Sequence, residues 1–249
     1  RIILLIMKNT VIIIPTRLSA KRFPNKPLAR INNIPMILHV LNRAKESKIG
    51  DVLVATPDDK IFQLVNKNGG KAILTKNEHT SGSERVYEVF LKELKCKPGL
   101  IINLQGDMPN IKPHSILKLE KFMKDNNCDI GTLAAKIKNE SELKNPNIVK
   151  VQVEGQLKKN TFLKAKDFFR INKDSTNNEI YHHIGIYAFT SIALTKYVNL
   201  SRSKLEIERN LEQMRAMENN LTIKVGLSDS VPLGVDTEED LIKVSKAMN

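Results

Sequence analysis

Short apolar runs alternate with amphipathic stretches through the first half of this chain. Val11-Ile12-Ile13-Ile14 is an uninterrupted β-branched run, the pattern of a strand buried on both faces. Pro35 then opens a helix with Met36, Ile37, Val40 and Leu41 on one side. Val52-Leu53-Val54-Ala55 predicts a second strand, and Asp58 stands where it can cap the helix that follows. Lys71-Ala72-Ile73-Leu74 predicts a third strand. Residues 83–94 predict a helix with Val86, Val89, Phe90 and Leu94 on one face, and residues 100–104 a fourth strand. Strand and helix in alternation imply an α/β fold whose central sheet is mostly parallel and covered on both faces.

After about residue 130 the rhythm changes. Residues 148–153, 161–163 and 184–189 predict strands, with a polar loop over 173–179. This is the pattern of a smaller antiparallel insertion. Residues 205–219 predict one helix with Ile207, Leu211, Met214 and Met217 inward. Residues 222–225 return to the sheet and 237–248 close the chain with a helix. With no repeat, low-complexity tract or linker, the expectation is a single domain over 8–249. Its main part is 8–130 with 222–249, and its insertion is 131–221.

At 249 residues the chain is long enough to bury a large core, and its 41% hydrophobic share is that of a globular protein. Residues 1–7 (Arg1-Ile2-Ile3-Leu4-Leu5-Ile6-Met7) read as an apolar extension with Met7 a candidate start, or as a weak membrane-surface tag. They are too short for a bilayer span, which takes roughly 20 residues, and lack a signal peptide's layout. Stable membrane insertion is therefore not expected. Cys96 and Cys128 make no disulfide framework and lack metal-ligand spacing, which fits a reducing, cytoplasmic setting. The net charge of +13 raises nucleic acid as a partner. Against it, the basic residues are spread along the chain and aromatics are only 5%, so stacking platforms are scarce. The expected partners are anionic small molecules rather than nucleic acid.

The most informative segment is Gln105-Gly106-Asp107, directly after the fourth apolar run. The loop leaving the first strand carries Arg17, Lys21, Arg22 and Lys26, stiffened by Pro15, Pro24 and Pro27. Far downstream lies Gly234-Val235-Asp236-Thr237. In open α/β sheets ligands sit beyond the carboxyl ends of the strands. Cations there suit a polyphosphate, and two loop carboxylates, Asp107 and Asp236, suit Mg²⁺, which takes few carboxylates and completes its shell with phosphate oxygens and water. The loop is not a Walker loop, because its glycine-lysine pattern is absent. Taken singly, the loop also reads as a solvated basic stretch and either aspartate as a turn or cap residue. His79-Thr80-Ser81-Gly82-Ser83-Glu84-Arg85 reads as a capping box, Ser81 with Glu84, or as a loop that reads a base edge, or as both. His182-His183-Ile184-Gly185-Ile186-Tyr187 reads as ordinary strand residues or as hydrogen-bonding groups for a polyhydroxy substrate.

Together these segments resemble the 3-deoxy-manno-octulosonate cytidylyltransferases (CMP-Kdo synthetases). The likeness covers nearly the whole chain after Lys8. It runs through Arg17 to Leu28, Ala55-Thr56, Gly69-Gly70, His79 with Ser81-Gly82, Asn103 to Asp107 and Pro109. It continues through Asn145-Pro146-Asn147 with Val149-Lys150-Val151, His183 to Tyr187, Leu211-Glu212-Gln213-Met214-Arg215, and Gly234 to Leu241. It implies a Rossmann-like nucleotide-sugar transferase fold. In that fold 8–130 with 222–249 binds nucleotide, and 131–221 binds sugar and dimerises. The implied reaction is CTP plus Kdo giving CMP-Kdo and diphosphate, for lipopolysaccharide synthesis, by attack of the sugar's anomeric hydroxyl on the α-phosphorus. Carried over residue by residue, Arg17, Lys26 and Asp107 are catalytic, and Arg17, Lys26, Ser81 and Gln105 bind nucleotide. Asp107 and Asp236 hold Mg²⁺. Lys164, His183, Tyr187, Glu212 and Gln213 line the sugar pocket.

The chain departs from the family pattern in four places. Asn25 stands for the usual Gly before Lys26, Met108 for the Glu after Gln-Gly-Asp, and Ala20-Lys21 for a Ser-Thr pair. Thr161-Phe162-Leu163-Lys164-Ala165 stands for Tyr-Phe-Ser-Arg-Ala, so the arginine near the sugar carboxylate becomes Lys164, which has no bidentate fork. Asn tolerates a left-handed φ better than most residues, so the change at Asn25 is mild. A homodimer is expected. The alternatives are a CMP-acylneuraminate or related CMP-ulosonate synthetase, a basic nucleic-acid-binding protein, and a non-catalytic paralogue.

Overall fold

The β-branched run forms β1, Thr10–Pro15, and all six of its residues are buried. The computed structural model describes residues 9–19, 22–94, 98–171 and 180–248. It divides into two compact units, one reaching Leu117 and resuming at Pro232, the other Lys118–Val231. The expectations for residues 1–7, Lys21, Cys96 and the loop at 173–179 fall outside the described residues.

In the first unit, β1 is followed by a 3-10 turn at Lys26–Leu28, by the small hairpin of β2 (Arg30–Ile31) and β3 (Ile34–Pro35), and by the helix Met36–Glu46. Then come β4 (Gly50–Thr56), the helix Asp59–Lys67, β5 (Ala72–Leu74), the helix Gly82–Glu93 and β6 (Leu100–Leu104). The strands lie in the order β5-β4-β1-β6, every neighbour parallel. Parallel strands need crossover helices, and the apolar stripes of those helices cover the sheet. Met36, Ile37, Val40 and Leu41 are all buried, as their spacing predicts. The last helix, Glu238–Ala247, carries Val244 into a small cluster with Val235, Ile31 and Met36. Its start is capped by Thr237 in a reciprocal capping box with Asp240.

The second unit contains β7 (Ile130–Lys136), β8 (Lys150–Val153), β9 (Phe162–Phe169), β10 (Ile180–Thr190) and β11 (Ile223–Leu227). Their order is β10-β7-β11-β9-β8, and β8 also pairs with β10, so the pairing closes on itself. A closed ring leaves no strand edge open to another chain. The β7–β11 pair is parallel and the other pairs are antiparallel. The fold is therefore α/β with a mixed sheet. The units divide near 117 and 231, whereas the sequence rhythm shifts near 130 and 222, because most of the helix Pro113–Asp125 and all of β11 group with the later strands.

The single helix expected at 205–219 is two short ones, Lys204–Arg209 and Gln213–Glu218. Asn210 between them takes a left-handed φ of 53°, a conformation Asn accepts more readily than most residues. The break also turns Ile207, expected inward, out to solvent at 59% exposure. The helix Ser191–Val198 and strand β7 were not expected from the sequence; β7 is a run whose small residues Gly131, Ala134 and Ala135 dilute its apolar pattern.

Candidate active site

Two clusters of the residues singled out from the sequence form, one in each unit. In the first unit, the loop after β1 is held by its backbone. Leu18 N–H donates to Asp58 Oδ2 at 2.8 Å, and Asn25 N–H to Leu18 O at 3.0 Å. Asp58 does stand at the start of the helix Asp59–Lys67, but its carboxylate makes no cap. It anchors the basic loop instead, a correction to the cap expected from the sequence. Asn25 takes φ 59°, as its substitution for glycine requires, and so turns the chain into the 3-10 turn that begins with Lys26. Arg17 in this loop is exposed.

The Gln105-Gly106-Asp107 turn packs against the start of that loop. A Cβ on Gly106 would meet Pro15 O at 3.2 Å and the Thr16 side chain at 3.3 Å, so this close approach favours glycine. Val235 N–H donates to Asp107 O at 3.0 Å, which draws the Gly234 to Thr237 segment alongside. The result is a convergence of three segments far apart in sequence. Lys26 Nζ lies 3.3 Å from Asp107 Oδ2 and 3.4 Å from Asp236 Oδ1, and Arg22 Nη2 lies 3.1 Å from Asp236 Oδ1. Two carboxylates thus face one shared cation. That donor set fits a hard divalent ion that takes its remaining oxygens from phosphate and water. Among the described residues no group of three or more His, Cys, Asp or Glu could hold a metal by itself. Met108, where the family has Glu, is buried with 6% exposure and adds no carboxylate.

The loop from His79 to Ser81 is tied at several points by the helix that follows it. Ser81 accepts from Glu84 N–H, so the cap reading holds. Gln105 Nε2 donates to Asn103 Oδ1 at 2.8 Å, and its amide lies where a Cβ on Gly82 would be 3.5 to 3.6 Å away. Ser81, Gly82 and Gln105 are therefore neighbours. Glu84 accepts from Thr80 N–H at 2.8 Å. Glu88 accepts from Lys76 N–H at 3.0 Å and is bound to His79 and Lys92. Burial pushes the Glu88 carboxyl up, but Lys92, His79 and the Lys76 amide outweigh it and hold the group at about 2. Arg85, only 3% exposed, donates to Thr75 Oγ1 and to Lys76 O. Burial, and then the charge of Arg17, pull its guanidinium below its ordinary value, while Glu88, Asp58 and Glu84 oppose them. Sequence reading passed over Arg85 as a member of a capping motif. Its signal was a charged residue at a position the helical period makes inward-facing.

In the second unit, His183 and Tyr187 sit on β10 with ring centroids 5.5 Å apart. The register of β10 against β7 shifts between Ile184 and Tyr187, a bulge that re-aims these side chains. Thr132 fills the gap: its hydroxyl reaches Ile186 O at 2.8 Å, Ile184 O at 3.2 Å and His183 Nε2 at 3.0 Å. The hydroxyl has one hydrogen, and the bulge carbonyls can only accept. On this network His183 is assigned the tautomer that donates from Nε2, which leaves Nδ1 as an acceptor. Burial, and then the His182 charge, push the His183 imidazole down to about 3, so it is neutral at any working pH. The Tyr187 phenol is raised by burial, then by Glu212 and Tyr197, and stays protonated. Tyr197 Oη donates to Glu212 O at 3.0 Å. Glu212 is exposed and Gln213 is buried with 8% exposure. Lys164 stands apart: its side chain is 57% exposed, its register partner is Lys224, and its ammonium pairs with Glu154 at 3.8 Å. His182, the other histidine of the pair, points elsewhere and binds Glu142 Oε1 at 2.5 Å.

Residues 11–223 match the family model described as cytidylyltransferase. The chain is 42% identical over 238 residues to the 3-deoxy-manno-octulosonate cytidylyltransferase of Bartonella bacilliformis, covering 95% of this chain and 97% of that one. It is 42% identical over 234 residues to the protein of the same name in Brucella anthropi, covering 94% of each. Among solved structures it is similar to a CMP:2-keto-3-deoxy-manno-octonic acid synthetase complexed with CTP. There the TM-score is 0.88 and the identity 36%, over 96% of this chain and 98% of that one. A 4-diphosphocytidyl-2C-methyl-D-erythritol synthase from Anaerococcus prevotii shares the fold alone, with a TM-score of 0.64 at 16% identity.

Proposed function

This chain belongs to the cytidylyltransferase family, and from that premise we propose that it joins CTP to the keto-sugar acid Kdo, releasing diphosphate and making CMP-Kdo for lipopolysaccharide synthesis. The observation that carries the reading is the meeting of Lys26, Asp107 and Asp236 from three distant segments, in a chain 42% identical to Kdo cytidylyltransferases along nearly its whole length.

In this reading the fold is a Rossmann-like nucleotide-sugar transferase in which 8–249 works as one domain. Arg17 and Lys26 bind the phosphates, and their fixed charges stabilise the diphosphate as it leaves. Ser81 and Gln105 recognise the cytidine. The tied loop of His79, Arg85 and Glu88 holds them in place before the nucleotide arrives, which lowers the ordering cost of binding. Asp107 and Asp236 hold Mg²⁺, which when bound lowers the pKa of an attacking hydroxyl and offsets phosphate charge. In the sugar cluster, neutral His183 accepts a sugar hydroxyl's proton at Nδ1 without taking it, Tyr187 donates, and Glu212 and Gln213 add polar contacts. The enzyme is assigned to the cytoplasm and to a homodimer. No helix among the described residues is long and apolar enough to cross a membrane. The excess positive charge serves nucleotide and sugar acid rather than nucleic acid.

The deciding experiment is CTP-dependent diphosphate release with a panel of sugar acids. Release with Kdo and Mg²⁺ that EDTA abolishes supports the assignment. Release with N-acylneuraminate alone moves the substrate to the acylneuraminate class, and release with no acid of the panel sinks the reading.

A further inference from the structure

We infer that the Lys26 ammonium stands in the place of the divalent ion when no nucleotide is bound, so that nucleotide opens the metal site by drawing the lysine away. This deepens the metal assignment made above and rests on it. The geometry is specific. Lys26 Nζ bridges Asp107 Oδ2 at 3.3 Å and Asp236 Oδ1 at 3.4 Å, and the lysine side chain is only 15% exposed while the carboxylates are 36% and 48% exposed. The bridge spans residues 81 and 210 positions apart, so it does not arise from chain neighbours. The backbone that presents it is fixed by the left-handed Asn25 and the buried Pro27.

Magnesium needs carboxylate oxygens at about 2.0–2.1 Å in near-octahedral array. An ammonium held by hydrogen bonds to one oxygen of each carboxylate fills the space between them, and a cation cannot enter beside it without strong repulsion. Metal entry therefore requires the Lys26 side chain to swing out. Four methylenes allow the swing, but the charge needs somewhere to go. Polyphosphate oxygens offer that place, and they also supply the metal ligands that two carboxylates lack. Arg22 on Asp236 acts in the same sense more weakly, because its side chain is 67% exposed and its pair is screened. Nucleotide and metal then bind with positive coupling, and the coupling is reciprocal.

The test measures Mn²⁺ binding by electron paramagnetic resonance of the free ion, with the full chain and with no sugar acid. Without nucleotide, Lys26→Met is expected to bind Mn²⁺ about tenfold more tightly than the unaltered protein, within the usual range of coupling. Lys71→Met, which removes an exposed charge elsewhere, is expected to leave the affinity unchanged. Adding CTP should raise Mn²⁺ affinity strongly in the unaltered protein and by a smaller factor in Lys26→Met. Lys26→Gln serves as a second variant where Lys26→Met melts early. Affinity in the lysine variants that equals or falls below that of the unaltered protein, or is undetectable, overturns the proposal. So does an equal gain in Lys71→Met. If Asp107→Asn and Asp236→Asn bind Mn²⁺ with CTP as well as the unaltered protein does, the metal assignment itself fails, an outcome separate from failure of the lysine.

Discussion

Replacing Arg215 with methionine is expected to be among the most damaging single changes outside the two clusters. The guanidinium donates from Nε to Glu206 Oε2 at 2.8 Å and from Nη2 to Oε1 at 2.6 Å, with both side chains at most 3% exposed. It also lies 4.9 Å from the Tyr197 ring centroid, and Tyr197 in turn holds the Glu212 carbonyl. Methionine keeps much of the packing but leaves the Glu206 carboxylate buried with weaker partners, Arg202 and the Ser203 amide. Breaking a buried pair in this way costs about 3–5 kcal/mol. For a chain of this size that lowers the melting temperature by roughly 10 °C, at about 2–4 °C per kcal/mol. The pH dependence gives the argument a sign. Burial raises the Glu206 carboxyl, but Arg215, the Ser203 amide and Arg202 hold it below its ordinary value. A depressed carboxyl contributes stability that is present above its unfolded pKa, about 4.5, and is lost as pH falls through the folded value. The deficit of Arg215→Met is therefore largest near neutral pH and narrows in acid, where Glu206 can protonate. Adding Glu206→Leu removes the stranded charge and should recover at least half of the loss. Circular-dichroism melts at pH 7.5 and pH 4 measure all of this. A loss under about 1 kcal/mol at pH 7.5, or a double variant no better than the single, would refute the reasoning, since both contradict a stranded buried charge.

Asp107→Asn and Asp236→Asn should each lower kcat on the order of 100-fold or more, the scale for removing one strong electrostatic stabiliser, and full activity in either variant removes that residue from the mechanism. Asn25→Ala should cost about 1–2 kcal/mol for a left-handed alanine while Asn25→Gly stays near neutral, read by urea unfolding; equal costs would mean that φ is not the reason Asn is there. Glu88, held at about 2 against an ordinary 4.5, represents up to roughly 3 kcal/mol of stability present above pH 4.5 and lost as pH falls toward 2. Glu88→Gln should flatten that acid limb and raise the KM for CTP, and an unaltered limb in a melt series would show that the pair contributes nothing. Lys164→Ala should change stability by under 1 kcal/mol, as for an exposed ion pair. If Lys164 leaves Glu154 to hold the sugar carboxylate, it should also lower kcat/KM for Kdo by about 1–3 kcal/mol of transition-state binding. Unchanged kinetics place the carboxylate elsewhere.

The amino-acid sequence alone determined the parallel core of the first unit. Runs such as Val11 to Ile14 and Val52 to Ala55 are buried on both faces, so local hydrophobicity carries the whole message. It also determined the cap at Ser81, because capping acts within a few residues, whereas at the last helix the cap falls on Thr237 and not on Asp236, the cap candidate there. Tertiary structure alone decided the rest. The break at Asn210 turned Ile207 outward, because the Glu206–Arg215 pair and the packing of Leu211 outweighed a continuous helical period. Asp58 left the cap it was placed for, because the loop amide of Leu18 came within its reach. Thr132 gained its role from a partner 51 residues away, a distance no local pattern encodes. The pairing that closes the second unit and the meeting of Lys26 with Asp107 and Asp236 belong to the same class. Charges find one another there only after the sheet has brought three loops to one edge, so sequence can name such residues but cannot place the lysine between the carboxylates.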